Sequence, residues 1–66
     1  MRLDGGEIDT LFKLVEYGPQ QDGDLPSKSG MIGLIQKGLA EKDYLKAAPN
    51  FATSLGIKAW NARKKK

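Results

Sequence analysis

Neither cysteine nor histidine occurs anywhere in this chain. Those two absences exclude disulfide staples, thiol nucleophiles, the usual zinc ligands and the commonest general base. Long apolar runs are missing as well. None approaches the roughly 18 residues needed to cross a bilayer, and the polar start Met1-Arg2-Leu3-Asp4 does not resemble a secretion signal. No nucleophile, base or metal constellation is visible, which points away from an enzyme and away from a cofactor or small-molecule substrate. The expectation is a cytoplasmic protein that folds on apolar packing alone or with a partner's help. Its 66 residues suffice for one domain, ordered over about residues 4–62 with a basic tail at 63–66.

What is present is an uneven distribution of charge. Up to Asp24, six acids stand against two bases, a net −4; from Leu25 onward, nine bases stand against two acids, a net +7. A basic half of this kind suits a polyanion, with nucleic acid the first candidate, although a lysine tail also serves solubility.

Ile8, Leu11, Phe12 and Val15 recur at the spacing of one helical face, with Leu14 beside them, so a first helix is expected from Asp4 or Gly5 to the stop at Gly18-Pro19. The stretch from Pro19 to Pro26 holds too many turn formers for more than one helical turn or a very short strand, with Leu25 as its core contact. Asp22 and Asp24 read as turn and capping groups, since the loop lacks the further oxygens of a calcium site.

A second helix follows, with Ser27 as N-cap, Gly38 as the left-handed stop and Lys37 beside the carbonyl end. Met31, Leu34 and Ile35 form its inner face, with Ile32 on the margin. Ser29, Gly33, Gln36 and Lys37 lie opposite. Gly30 and Gly33 weaken a helix by roughly 1 kcal/mol each relative to alanine, so they imply close approach of a backbone, either DNA or another protein, unless they are neutral. A two-stranded hairpin is expected next, from Leu39–Leu45 to Phe51-Ala52, with Ala48-Pro49-Asn50 near its tip. Thr53 then caps a last helix whose Leu55 and Ala59 stripe, with Ile57 and Trp60 near it, packs back on the first. Trp60, Phe12, Phe51 and Tyr44 read as packing residues. Lys64, Lys65 and Lys66 should fray.

This order of elements resembles the winged-helix group of helix-turn-helix proteins. Three pieces carry the likeness. Gly38-Leu39-Ala40-Glu41-Lys42 looks like the end of a recognition helix entering the first wing strand. Phe51-Ala52-Thr53-Ser54-Leu55-Gly56 looks like the second wing strand and the capped helix after it. Gly23-Asp24-Leu25-Pro26-Ser27-Lys28-Ser29-Gly30 is similar to a string found in small phage or prophage proteins of this type.

The resemblance implies an α+β fold, a minimal winged helix of three helices with a short two-stranded wing between the second and third. It implies binding of double-stranded DNA by a transcriptional or recombination accessory factor, as a homodimer or with a partner protein. Carried over by position, it puts Lys28, Ser29, Gly33 and Gln36 in the groove, Lys37 on a phosphate, and Lys46 and Asn50 on phosphates at the wing; Arg63 is a further candidate DNA contact. Lys28, Lys37, Lys46 and Arg63 on one face would favour DNA, whereas their scattering would favour an interaction module. Gln36 has the amide geometry for adenine, and Lys28 stands where a phosphate would also meet free backbone N–H groups. The chain departs from the group in two respects: the helix before the recognition helix has shrunk to the Leu25-Pro26 turn, and glycines stand on the expected outer face. The alternative is a protein-interaction module of the same fold, using the acidic first helix or the margin at Ile32.

Overall fold

A computed structural model describes residues 2–64; the expected fraying at Lys65 and Lys66 lies outside these residues. The chain folds as helix α1 (Gly5–Glu16), a 3-10 turn (Asp22–Asp24), helix α2 (Lys28–Gln36), strands β1 (Ala40–Lys42) and β2 (Asn50–Ala52), and helix α3 (Ser54–Lys64). It is therefore α+β, with three helices and an antiparallel hairpin between the second and third. That layout is consistent with a winged helix.

Each helix starts where a side chain can satisfy free backbone donors. Asp4 is the N-cap of α1 and forms a full capping box: its carboxylate accepts from the Glu7 N–H (2.8 Å), while Glu7 Oε1 accepts from the Asp4 N–H (2.9 Å). Ser27 caps α2 by accepting from the Gly30 N–H at 2.9 Å. Thr53 caps α3 by accepting from the Gly56 N–H at 3.0 Å, and its own hydroxyl donates to the Gly38 carbonyl. At the other end of α2, Gly38 takes a φ of 76°. The Leu39 N–H then reaches the Leu34 carbonyl and the Gly38 N–H the Ile35 carbonyl, the paired bonds of a Schellman closure.

The turn-rich stretch before α2 supplies both a 3-10 turn and a short extended piece. Gln20 exchanges two backbone hydrogen bonds with Asn50, adding an isolated antiparallel bridge beside the hairpin. Within the hairpin, Ala40 faces Ala52, Glu41 faces Phe51 and Lys42 faces Asn50.

The hairpin tip lies earlier than the proline suggested. The Asp43 carboxylate accepts from the Leu45 N–H and its carbonyl accepts from the Lys46 N–H, so the chain turns at 43–46. Asn50 belongs to β2, and Tyr44, expected to pack, is exposed on the loop.

Leu11, Leu14, Met31, Leu34, Leu39, Ala40 and Trp60 make the core. The inner stripe of α1 is Glu7, Thr10, Leu11 and Leu14, so Phe12 sits on the rim at 42% exposure, edge-on to Trp60 and Tyr17. The reason is polar. Glu7 and Thr10 can be buried because each has a partner, the Thr10 hydroxyl donating to the Ser27 carbonyl.

In α3 the buried pair is Gly56 and Trp60, and Leu55 and Ile57 are exposed. A Cβ at Gly56 would overlap the Leu39 carbonyl, so glycine lets α3 lie directly against the start of the hairpin. The Trp60 indole N–H donates to Glu16 Oε2 at 2.8 Å, which Lys64 also reaches. Lys64 is thus helical and paired, contrary to its expected fraying.

Candidate nucleic-acid interface

Helix α2 decides what the molecule offers to a partner, because its inner side is fully committed. Gly30 and Gly33 are not on the outer face. A Cβ at Gly30 would overlap the Gly6 carbonyl, and one at Gly33 would overlap the Glu7 carboxylate. Gly30 therefore admits the backbone of α1, and Gly33 a side chain of α1, instead of the backbone of DNA or of another protein.

The space left over Gly33 holds the Glu7 side chain, whose carboxylate takes the Lys37 ammonium at 2.6 Å. Lys37 also donates to the Arg2 carbonyl at 3.0 Å. Its hydrogen bond to Glu7, together with the Asp4 N–H, holds the Glu7 carboxyl below the usual glutamate range against the opposing effect of burial. Lys37 therefore closes the α1–α2 crossing instead of standing ready for a phosphate, and Gly33 is covered by Glu7.

The outer side of α2 carries Lys28, Ser29, Ile32, Ile35 and Gln36, all exposed. Ile35, expected on the inner face, is exposed instead, because Gly30, Met31 and Leu34 fill that side. The stripe contains no acid, nor does the first turn of α2, so nothing on this helix offsets the positive end of its dipole. Ser29 shares a hydrogen bond with the Ser27 hydroxyl at 3.2 Å.

Between this outer face and the hairpin runs a cleft of about 230 Å³, lined by Leu25, Met31, Ile32 and Ile35 with Lys28, Lys42 and Asp22 at its polar end. The cleft puts the end of β1 beside the outer face of α2. Asp22 anchors the junction, accepting from the Asn50 amide at 2.7 Å and from the Lys42 ammonium at 2.9 Å. Those two bonds, Asn50 first, lower the Asp22 pKa, and the nearby Lys28 charge acts in the same direction. Lys42 is correspondingly raised by Asp22.

Asn50 is 0% exposed. Its amide spans from Asp22 to the Gln20 carbonyl, so it ties the hairpin to the 3-10 turn and has no surface to give a phosphate. Lys46 does lie on the exposed loop, its ammonium 5.6 Å from the centre of the Phe51 ring. Arg63 is exposed near the far end of α1, next to Lys64 on Glu16, whereas Lys37 is fixed on Glu7 at the near end. Nine residues of helix, about 13 Å, separate those glutamates, so Lys37 and Lys64 are held at opposite ends of α1.

Of the expected site residues, then, the structure gathers Lys28, Ser29 and Gln36 on the outer face, with Lys46 on the loop. Gly33, Lys37 and Asn50 turn inward. Sequence reasoning missed Lys42 and the outward Ile35. The glycine pair at i, i+3 was the available signal, since small residues at that spacing mark a helix face pressed against another backbone. No known protein family, characterised protein or solved structure matches the chain.

Proposed function

We propose that this chain is a small DNA-binding module of winged-helix type, placing the outer face of α2 in the major groove and the 43–49 loop against the flanking backbone. The observation that carries the reading is the acid-free stripe Lys28–Ser29–Ile32–Gln36 standing beside the end of β1 on one side of the molecule. Lys28 at the first turn adds a cation where backbone N–H groups already favour a phosphate. Lys46 on the loop supplies a second, separate cation for the backbone. One short helix and one loop make a footprint near the lower end of the range for single modules, about 600 Å², so paired copies or a partner protein would provide working affinity.

The test is a titration into labelled duplex DNA across a series of salt concentrations, with wild type and Lys28→Ala. Lys28→Ala should reduce the slope of log affinity against log salt by about one unit and weaken binding to all duplexes alike. Absence of binding at low salt would overturn the reading.

A second reading rests on Ile32 and Ile35, which stand out from the surface beside an apolar cleft. They suit a protein partner, whose binding would respond weakly to salt.

A further inference from the structure

We infer that Ile32 reads thymine, making contact with the C5-methyl group in the major groove one helical turn from the residue that reads adenine; the inference rests on the DNA-binding reading above. Ile32 is 58% exposed, at the middle of the outer stripe of α2, with Ser29 one turn before it and Gln36 one turn after. The inner side of α2 is filled by Met31 and Leu34 and closed by the glycine contacts with α1, so Ile32 contributes little to the fold. The exposed part of an isoleucine at the rim of the cleft is desolvated by an apolar group brought by the ligand. The major-groove edges of the bases carry one such group, the thymine methyl.

Spacing makes the inference specific. From Ile32 to Gln36 is four residues, about 6 Å along the helix. Base pairs are stacked about 3.4 Å apart, so a helix lying along the groove sets these two side chains roughly two base pairs from each other. Gln36 is exposed on the same face of α2, which leaves its amide able to take the N6 and N7 pair of adenine. The class of site is therefore an A·T-containing step pattern in which a thymine and an adenine are about two base pairs apart, read from the major groove. Lys28 holds the register through the backbone and reads nothing.

The experiment enriches bound sequences from a random duplex pool at low salt. The winning duplex is then rebuilt with deoxyuridine in place of each thymidine in turn, which removes a methyl and changes no hydrogen-bonding group. One position should lose about fourfold in affinity, the amount expected for one buried methyl. Ile32→Ala should lose the same amount on the thymidine duplex and show no further response to deoxyuridine. Ile32 is exposed, so the variant stays folded, and circular dichroism checks this.

Binding that is indifferent to deoxyuridine at every position overturns the role of Ile32 and leaves the DNA-binding reading standing. A response that persists undiminished in Ile32→Ala also overturns it, by assigning the methyl contact to another residue. Failure to enrich or bind any duplex overturns both.

Discussion

The two sides of α2 obey opposite rules. On the inner side every group has a partner: Gly30 lies against the Gly6 carbonyl, Glu7 fills the space over Gly33, and Lys37 is held by Glu7 and the Arg2 carbonyl. On the outer side, two isoleucines and a glutamine stand in water. A helix of nine residues thus spends one face on position and keeps the other for contact. The difference teaches that polarity is a poor guide to function in a domain this small, where a lysine and a glutamate are structural and an isoleucine is the exposed group.

The sharpest way to break the comparison is at Gly30. Valine there drives a side chain into the α1 backbone, which cannot yield, and should destabilise by about 3 kcal/mol. That is a large share of the roughly 3–10 kcal/mol available to a domain of this length, and thermal unfolding should show a fall of more than about 10 °C.

Next in size is Lys37→Met. It removes the partner of a buried carboxylate, so stability at neutral pH falls. The pH dependence follows from the direction of the Glu7 shift. A carboxyl held below its ordinary value contributes stability that is fully present above the glutamate range and is lost as pH drops through the lowered value. Wild-type melting temperature should therefore decline below the ordinary value of 4.5. Lys37→Met should make that decline shallower without abolishing it, because Glu16 and Asp22 are lowered too. A steeper decline in the variant would reverse the assignment of the ion pair.

Smallest is Ile32→Ser on the outer side, expected to leave stability within about 0.5 kcal/mol of wild type by denaturant titration. A larger loss would mean that the outer side also supports the fold.

The elements themselves were legible in the sequence wherever local chemistry sets them. Asp4, Ser27 and Thr53 cap because a short oxygen-bearing side chain precedes each apolar run, and Gly38 stops α2 because the chain must take a positive φ there. What escaped was which face of each helix turns inward. Apolarity alone put Phe12 and Ile35 inside, but a buried glutamate paired across 30 residues and a glycine contact between backbones rotate both helices away from that solution. The site suffered for the same reason. Lys37 and Asn50 look like phosphate contacts until their distant partners, Glu7, Gln20 and Asp22, are known. The basic half is likewise less free than its charge suggests, since Lys37, Lys42 and Lys64 each pair with an acid of the first half.

Trp60 is the chain's single tryptophan, and it meets Glu16 and Phe12, 44 and 48 positions earlier. The indole is thus a built-in optical reporter, since its folded surroundings are completed when the last helix arrives on the first. Stopped-flow fluorescence would time the closing of the whole chain without any label, and a nascent chain lacking that indole would be missing the last residue of its core.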